Sequence, residues 1–175
     1  MADQTKKPSR LALAAMLAAA LAAPAEGLRQ VAYYDPPGIL TACRGHTGAD
    51  VRANVRYSLA QCDKWFTDDM RTAVGKVSDC APGLPPEVMA AFGDAVFNLG
   101  PTIACDTRNS TAARYLRQYS VGGVDNPDAG RPLLRAACDQ LPRWDKAHVA
   151  GVLVALPGLT KRRADERALC LKGAS

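Results

Sequence analysis

Aromatic side chains are scarce in this 175-residue sequence, at 6% with three Phe, two Trp and five Tyr. A core must therefore be assembled from Ala, Val and Leu, with Trp65, Phe97 and Trp144 as its few bulky pieces. No C-x-x-C pair occurs among the six cysteines, which removes the main support for a zinc ribbon or a thioredoxin-type redox motif. No arginine-rich run stands out except Lys161-Arg162-Arg163, and a net charge of +5 from 22 basic and 17 acidic residues is too dispersed to indicate nucleic acid. No internal repeat or low-complexity segment follows residue 25. With 48% hydrophobic and 22% charged residues, the chain fits one ordinary globular unit and excludes a disordered or fibrous protein.

What is present begins with the cysteines, at positions 43, 62, 80, 105, 138 and 170. An even count without metal-ligand spacing predicts three disulfides and an oxidising compartment. Spacing does not choose among the connectivities, and six reduced thiols in a cytosolic chain are the alternative. Lys6, Lys7 and Arg10 then precede an uncharged stretch that begins at Leu11 and ends at Ala25, the basic-then-apolar order of an export signal. Fifteen helical residues rise only about 22 Å against a hydrocarbon core of roughly 30 Å, and the four leucines supply about −2 kcal/mol of insertion energy. The stretch is thus a weak anchor, and its insertion is reversible in principle. Three readings stay open: a cleaved signal peptide ending at Ala23-Pro24-Ala25, an uncleaved anchor that later leaves the bilayer, and a buried soluble helix.

From Gln30 to Thr47 the pattern is turn-rich, and Pro36, Pro37, Gly38, Gly45 and the adjoining Gly48 favour short strands in a small β-hairpin region. Asp35 falls in its turn. Beyond Asp50 the spacing predicts a helix over 59–77, a central core helix from Pro85-Pro86-Glu87 to Leu99, and a helix capped by Asn109-Ser110. The Gly-, Pro- and Asp-rich segment 121–132 reads as a loop. A further helix is expected after Leu141-Pro142, holding Trp144 and residues 149–156, and another from Leu159 to Leu171 after Pro157-Gly158. A small antiparallel β portion followed by a larger helical portion is the segregated order of an α+β protein, with a cleft between the two parts as the natural site.

Glu26, Arg29, Tyr33, Asp35, Thr41 and His46 lie within 21 residues of one another. Glu26 closes the apolar segment and Asp35 sits in a hairpin turn, so the two carboxyls come from different elements and can face each other. Two carboxyl groups in unlike environments are what glycosidic cleavage requires, one donating a proton to the leaving oxygen and one handling water or developing positive charge.

Glu26-Gly27-Leu28-Arg29, Tyr33, Asp35, Gly38, Thr41 and Gly45-His46-Thr47-Gly48 resemble the active-site signature of the bacteriophage-type lysozymes, or muramidases. Phe97-Asn98-Leu99-Gly100, Trp144 after Leu141-Pro142-Arg143, and Gly158-Leu159-x-Lys161-Arg162-Arg163-x-x-Glu166 look like later landmarks of that family. An Ala-rich segment immediately before the signature is similar to the signal-anchor-release endolysins.

The resemblance implies a lysozyme-like α+β fold, with a signal-anchor-release segment over 1–25 and a catalytic domain over 26–175. It implies hydrolysis of the β-1,4 bond between N-acetylmuramic acid and N-acetylglucosamine, by inversion, with neither metal nor cofactor. Glu26 becomes the general acid, Asp35 the carboxylate that positions or activates water, and Thr41 its hydroxyl partner. The implied partners are peptidoglycan glycan strands and, through Leu11 to Ala25, the host inner membrane before release into the periplasm; a monomer without nucleic acid is expected. Alternatives are a noncatalytic peptidoglycan-binding or membrane-tethered protein of the same fold, and a lytic transglycosylase.

Supporting roles are expected for several neighbours. His46 is read as a structural hydrogen-bonding residue, Arg29 as the partner of an ion pair that orders the catalytic lobe, and Cys43 as half of a disulfide to a later cysteine such as Cys62. Arg143, Lys146, Lys161, Arg162, Arg163 and Arg167 suggest a basic surface that draws the enzyme to an anionic wall, with charge pairing as the alternative for 161–166. Trp65, Trp144 and His148 are placed in or near the core.

Overall fold

The computed structural model describes residues 8–35 and 38–175 and opens with helix α1, Arg10–Ala22. Lys6, Lys7, Pro36 and Pro37 lie outside the described residues. The Ser9 hydroxyl caps α1 by accepting from the Ala12 amide at 3.2 Å, satisfying one of the free donors of the first turn. Ala14, Ala18 and Ala22 repeat every four residues on one face and are fully buried. So narrow a stripe lets α1 lie close against α2 (Leu59–Cys80) and α3 (Pro86–Leu99), because small side chains reduce the distance between helix axes. Among the described residues, no helix is long and apolar enough to cross a membrane.

After α1 the chain forms an antiparallel sheet of β1 (Arg29–Tyr34), β2 (Leu40–Cys43) and β3 (His46–Thr47), in that order. Tyr33 pairs with Thr41 and Tyr34 with Leu40, while the register shifts between Tyr33 and Arg29. On the other edge of β1, the Tyr57 amide donates to the Gln30 carbonyl at 2.8 Å. The expected hairpin region is therefore present, with Asp35 in its turn.

Helix α3 is the centre of the molecule. Residues Val88, Ala90, Ala91, Phe92 and Ala95 are wholly buried, and Gly93 faces Val74 of α2 so closely that a Cβ there would overlap it. Around it stand α4 (Thr102–Cys105), α5 (Thr111–Gln118), α6 (Pro127–Cys138) and α7 (Pro157–Gly173), with a second sheet of β4 (Lys146–Val149) and β5 (Val152–Ala155). The cysteines pair as Cys43–Cys62, Cys80–Cys105 and Cys138–Cys170, so three disulfides form and Cys43 does meet Cys62.

Two segments differ from the sequence expectation. The segment read as a loop over 121–132 holds a π-helical turn at Tyr119–Gly123 and the start of α6. Asn126 caps that helix with Pro127 in its first turn, and Pro132 is carried inside it. The helix expected to hold Trp144 and residues 149–156 is instead a short 3-10 turn, Leu141–Trp144, followed by the β4–β5 hairpin. Ala150 and Gly151 both take positive φ, 49° and 83°, which is the two-residue turn that matches strand twist. His148 is consequently exposed on that hairpin, while Trp65 is buried and Trp144 packs against the main core.

Candidate active site

Glu26 is set by the end of α1. Its amide donates to the Ala22 carbonyl at 3.2 Å, and Arg44 Nη1 donates to the Ala23 and Glu26 carbonyls at 3.4 and 3.2 Å. A guanidinium at this position satisfies carbonyls that the helix end leaves free. The Glu26 side chain, 19% exposed, accepts at Oε1 from Arg162 Nη1 at 2.6 Å. Its Oε2 faces Gly45, where an added Cβ would stand 3.9 Å away; Gly45 has φ 88°, so glycine serves both the turn and the open space beside the carboxyl.

Glu26 and Asp35 line the same cleft of about 530 Å³, together with Arg29, Tyr33, Tyr34 and Gly45. Asp35 Oδ1 accepts from the Ile39 amide at 2.7 Å, and the turn closes with the Asp35 amide donating to the Ile39 carbonyl at 3.0 Å. Thr41, 3% exposed, donates its hydroxyl to the same Ile39 carbonyl at 3.0 Å and does not line the cleft. The structure thus brings Glu26 and Asp35 to one cavity and links Thr41 to Asp35 through the backbone of Ile39.

The expected ion pair of Arg29 is not formed among the described residues: its guanidinium lies 4.4 Å over the Tyr33 ring. Arg162 is paired to Glu26 instead. The basic surface also needs correction, because Arg162 and Arg163 are buried, Lys161 pairs with Asp165 at 2.5 Å and Arg167 with Asp139 at 2.6 Å.

Behind Glu26 lies a buried polar network that sequence reasoning missed. Arg162 donates through Nε and Nη2 to the two oxygens of Asp94, at 3.2 and 2.5 Å. Arg163 Nη2 stands 3.1 Å from Asn98 Oδ1 and 2.5 Å from Glu166 Oε1. Burial opposes the charge on Arg162, but the hydrogen bonds and charges of Asp94 and Glu26 more than offset it and raise its pKa. Burial pushes the Glu166 carboxyl up to about 9, with Arg163 opposing and Asp94 reinforcing. The legible signal was Asp94 itself, the one charged residue in an apolar helix after its first turn, since a charge in such a place needs a partner.

His46 has the structural role expected of it. Its Nδ1 lies 2.8 Å from Asp69 Oδ2 on α2, its Nε2 lies 3.2 Å from Asp50 Oδ1, and its ring stacks on Trp65 at 4.3 Å. These contacts fasten the strand after Gly45 to the helical lobe.

A helical lobe, a small sheet and a cleft with a carboxyl on each side define an α+β, lysozyme-like glycoside hydrolase. The chain belongs to the phage lysozyme family, whose model matches residues 23–166. A SAR-endolysin of Bacteriophage PS119 is 32% identical over 149 residues, covering 85% of this chain and 77% of that protein. Among solved structures, the muramidase domain of SpmX from Asticaccaulis excentricus superposes with a TM-score of 0.69 at 24% identity, over 88% of this chain and 94% of that one. The active form of the P1 phage endolysin Lyz gives 0.67 at 23% identity, over 96% of both chains.

Proposed function

We propose that the chain is an endolysin muramidase in which Glu26 is the general acid and Asp35 the carboxylate that activates water. The Glu26 carboxyl gives its proton to the glycosidic oxygen as the bond from that oxygen to the muramic acid C1 breaks. Water, giving its proton to Asp35, adds to C1 from the other face. Inversion accompanies single displacement; Asp35 then returns its proton to solvent and Glu26 takes one up from it, which restores both groups. Thr41 holds the Ile39 carbonyl and so steadies the turn that presents Asp35. The observation that carries the reading is the common cleft of Glu26 and Asp35, with only Glu26 tied to a buried cation.

The substrate is the glycan strand of peptidoglycan, met in the periplasm, and the working form is a monomer. Residues 1–25 act first as a membrane tether and then as part of the enzyme. The alanine stripe of α1 supports this: it is apolar enough to enter a bilayer marginally and small enough to fit against α3. While residues 11–25 lie in the bilayer, Glu26 is held at its surface, away from Arg162 and Asp35.

Glu26→Gln is expected to abolish lysis of purified sacculi, by about a thousandfold or more, while binding to sacculi persists. Mass spectrometry of the products of the unaltered protein is expected to give reducing ends. Products lighter by one water would reassign the enzyme as a lytic transglycosylase.

A further inference from the structure

We propose that Asp94 is a positioning residue of this reaction: by holding Arg162 across Nε and Nη2, it aims Nη1 at Glu26 and balances the positive charge placed beside that carboxyl. The inference rests on the reading of Glu26 as proton donor. Asp94 is fully buried in α3, and nothing in the helix requires a carboxyl there. A guanidinium is a rigid planar fork, so occupying one edge with two hydrogen bonds fixes its plane. Arg162 has Nη1 left, and that nitrogen lies 2.6 Å from Glu26 Oε1.

The geometry meets a chemical difficulty. A general acid must carry a proton, yet a full positive charge at hydrogen-bond distance in a site little screened by water favours the carboxylate. Asp94 answers that charge on the side of Arg162 away from the cleft. Among the described residues, the other ionisable groups nearby are bonded elsewhere except Glu166, which also faces Arg162. On α7, Arg163 is taken by Asn98 and Glu166, and Glu166 stands 3.8 Å from Arg162 Nε. From the sheet side, Arg44 donates to the main-chain carbonyl of Glu26. Within the cleft, Arg29 lies on Tyr33 and Asp35 is bonded to its own turn.

The test is the pH dependence of kcat and KM on a soluble glycan oligomer, from about pH 5 to about pH 9, for the full chain and its Asp94→Asn variant. Asparagine keeps the shape and one acceptor but removes the charge. The expected result is an alkaline limb displaced to lower pH by about one unit. This corresponds to a kcat about tenfold lower on that limb, with activity recovered in acid and KM within about twofold. An unchanged profile, or a loss equal at every pH, would overturn the inference and leave Asp94 a structural residue. If the single variant does not fold, the Asp94→Asn, Arg162→Gln pair leaves no buried charge unanswered by design. Its limb is expected at or above the wild-type position, and a limb below it would overturn the inference. Glu26→Gln, measured alongside, separates the two claims: a Glu26→Gln enzyme that still cleaves removes the proton-donor reading itself, whereas an inactive one with an unaltered Asp94→Asn profile removes only the role of Asp94.

Discussion

Glu166 is a carboxyl with no exposure, and burial raises its pKa from 4.5 to about 9. A folded-state value above the unfolded one means that the native chain holds a proton the unfolded chain releases, so this group's contribution to stability falls as pH rises between those two values. Glu166→Gln is therefore expected to flatten the decline in thermal midpoint between about pH 5 and about pH 9, a change worth about 1 kcal/mol or more across the window. Thermal unfolding at both ends of the range reads it, and an unaltered slope would show that Glu166 is not the group responsible. Residue-scale legibility was uneven for a related reason. Glu26 and Asp35 sit at an element end and in a turn, where a polar side chain is visible as an exception to local pattern. Arg162 and Arg163 lie among other charges on α7, and among the groups that hold them inward are Asp94 and Asn98, more than sixty residues earlier.

Helix α1 is tight on one face and free on the other. Ala18 is wholly buried in the main core, whereas Met16, two residues away, is 64% exposed. Ala18→Leu is expected to destabilise the folded enzyme by about 1–3 kcal/mol through overpacking, lowering the thermal midpoint by several degrees, while Met16→Leu shifts it by about 0.5 kcal/mol or less. Calorimetry on the two variants compares a packed position with a free one in the same helix. Helices α2, α3 and α5 were readable because their apolar period, proline or serine starts and lengths agree. The β4–β5 hairpin was not, because a short run of Val, Leu and Ala fits helix and strand alike, and Ala150 in a left-handed turn gives no glycine-like signal of its own. Helix α6 was obscured by Gly130 and Pro132, residues that argue for a loop locally but are held by its packing on α5 and α7.

Across the whole molecule, the sheet that carries Asp35 and Thr41 is joined to the helices by few elements, and Cys43–Cys62 ties the end of β2 to α2. Closing a loop of 19 residues restricts the unfolded chain by about 3 kcal/mol on the entropic account. The Cys43→Ala, Cys62→Ala pair is expected to lose most of that, read as a lower denaturation midpoint, with Cys80–Cys105 and Cys138–Cys170 intact by mass. The α+β class, the number of disulfides and the cleft were legible from pattern and count. Which cysteines pair is a property of the assembled fold, because it depends on the distances at which distant helices meet.

The three bridges close rings over 43–62, 80–105 and 138–170, one after another along the chain, with no ring interlaced with the next. Helix α1 precedes them all and belongs to none. Because it holds no cysteine, its docking against α3 exchanges no covalent bond. Oxidation of the cysteines and seating of the first helix therefore share no bond, and neither event consumes a group that the other needs.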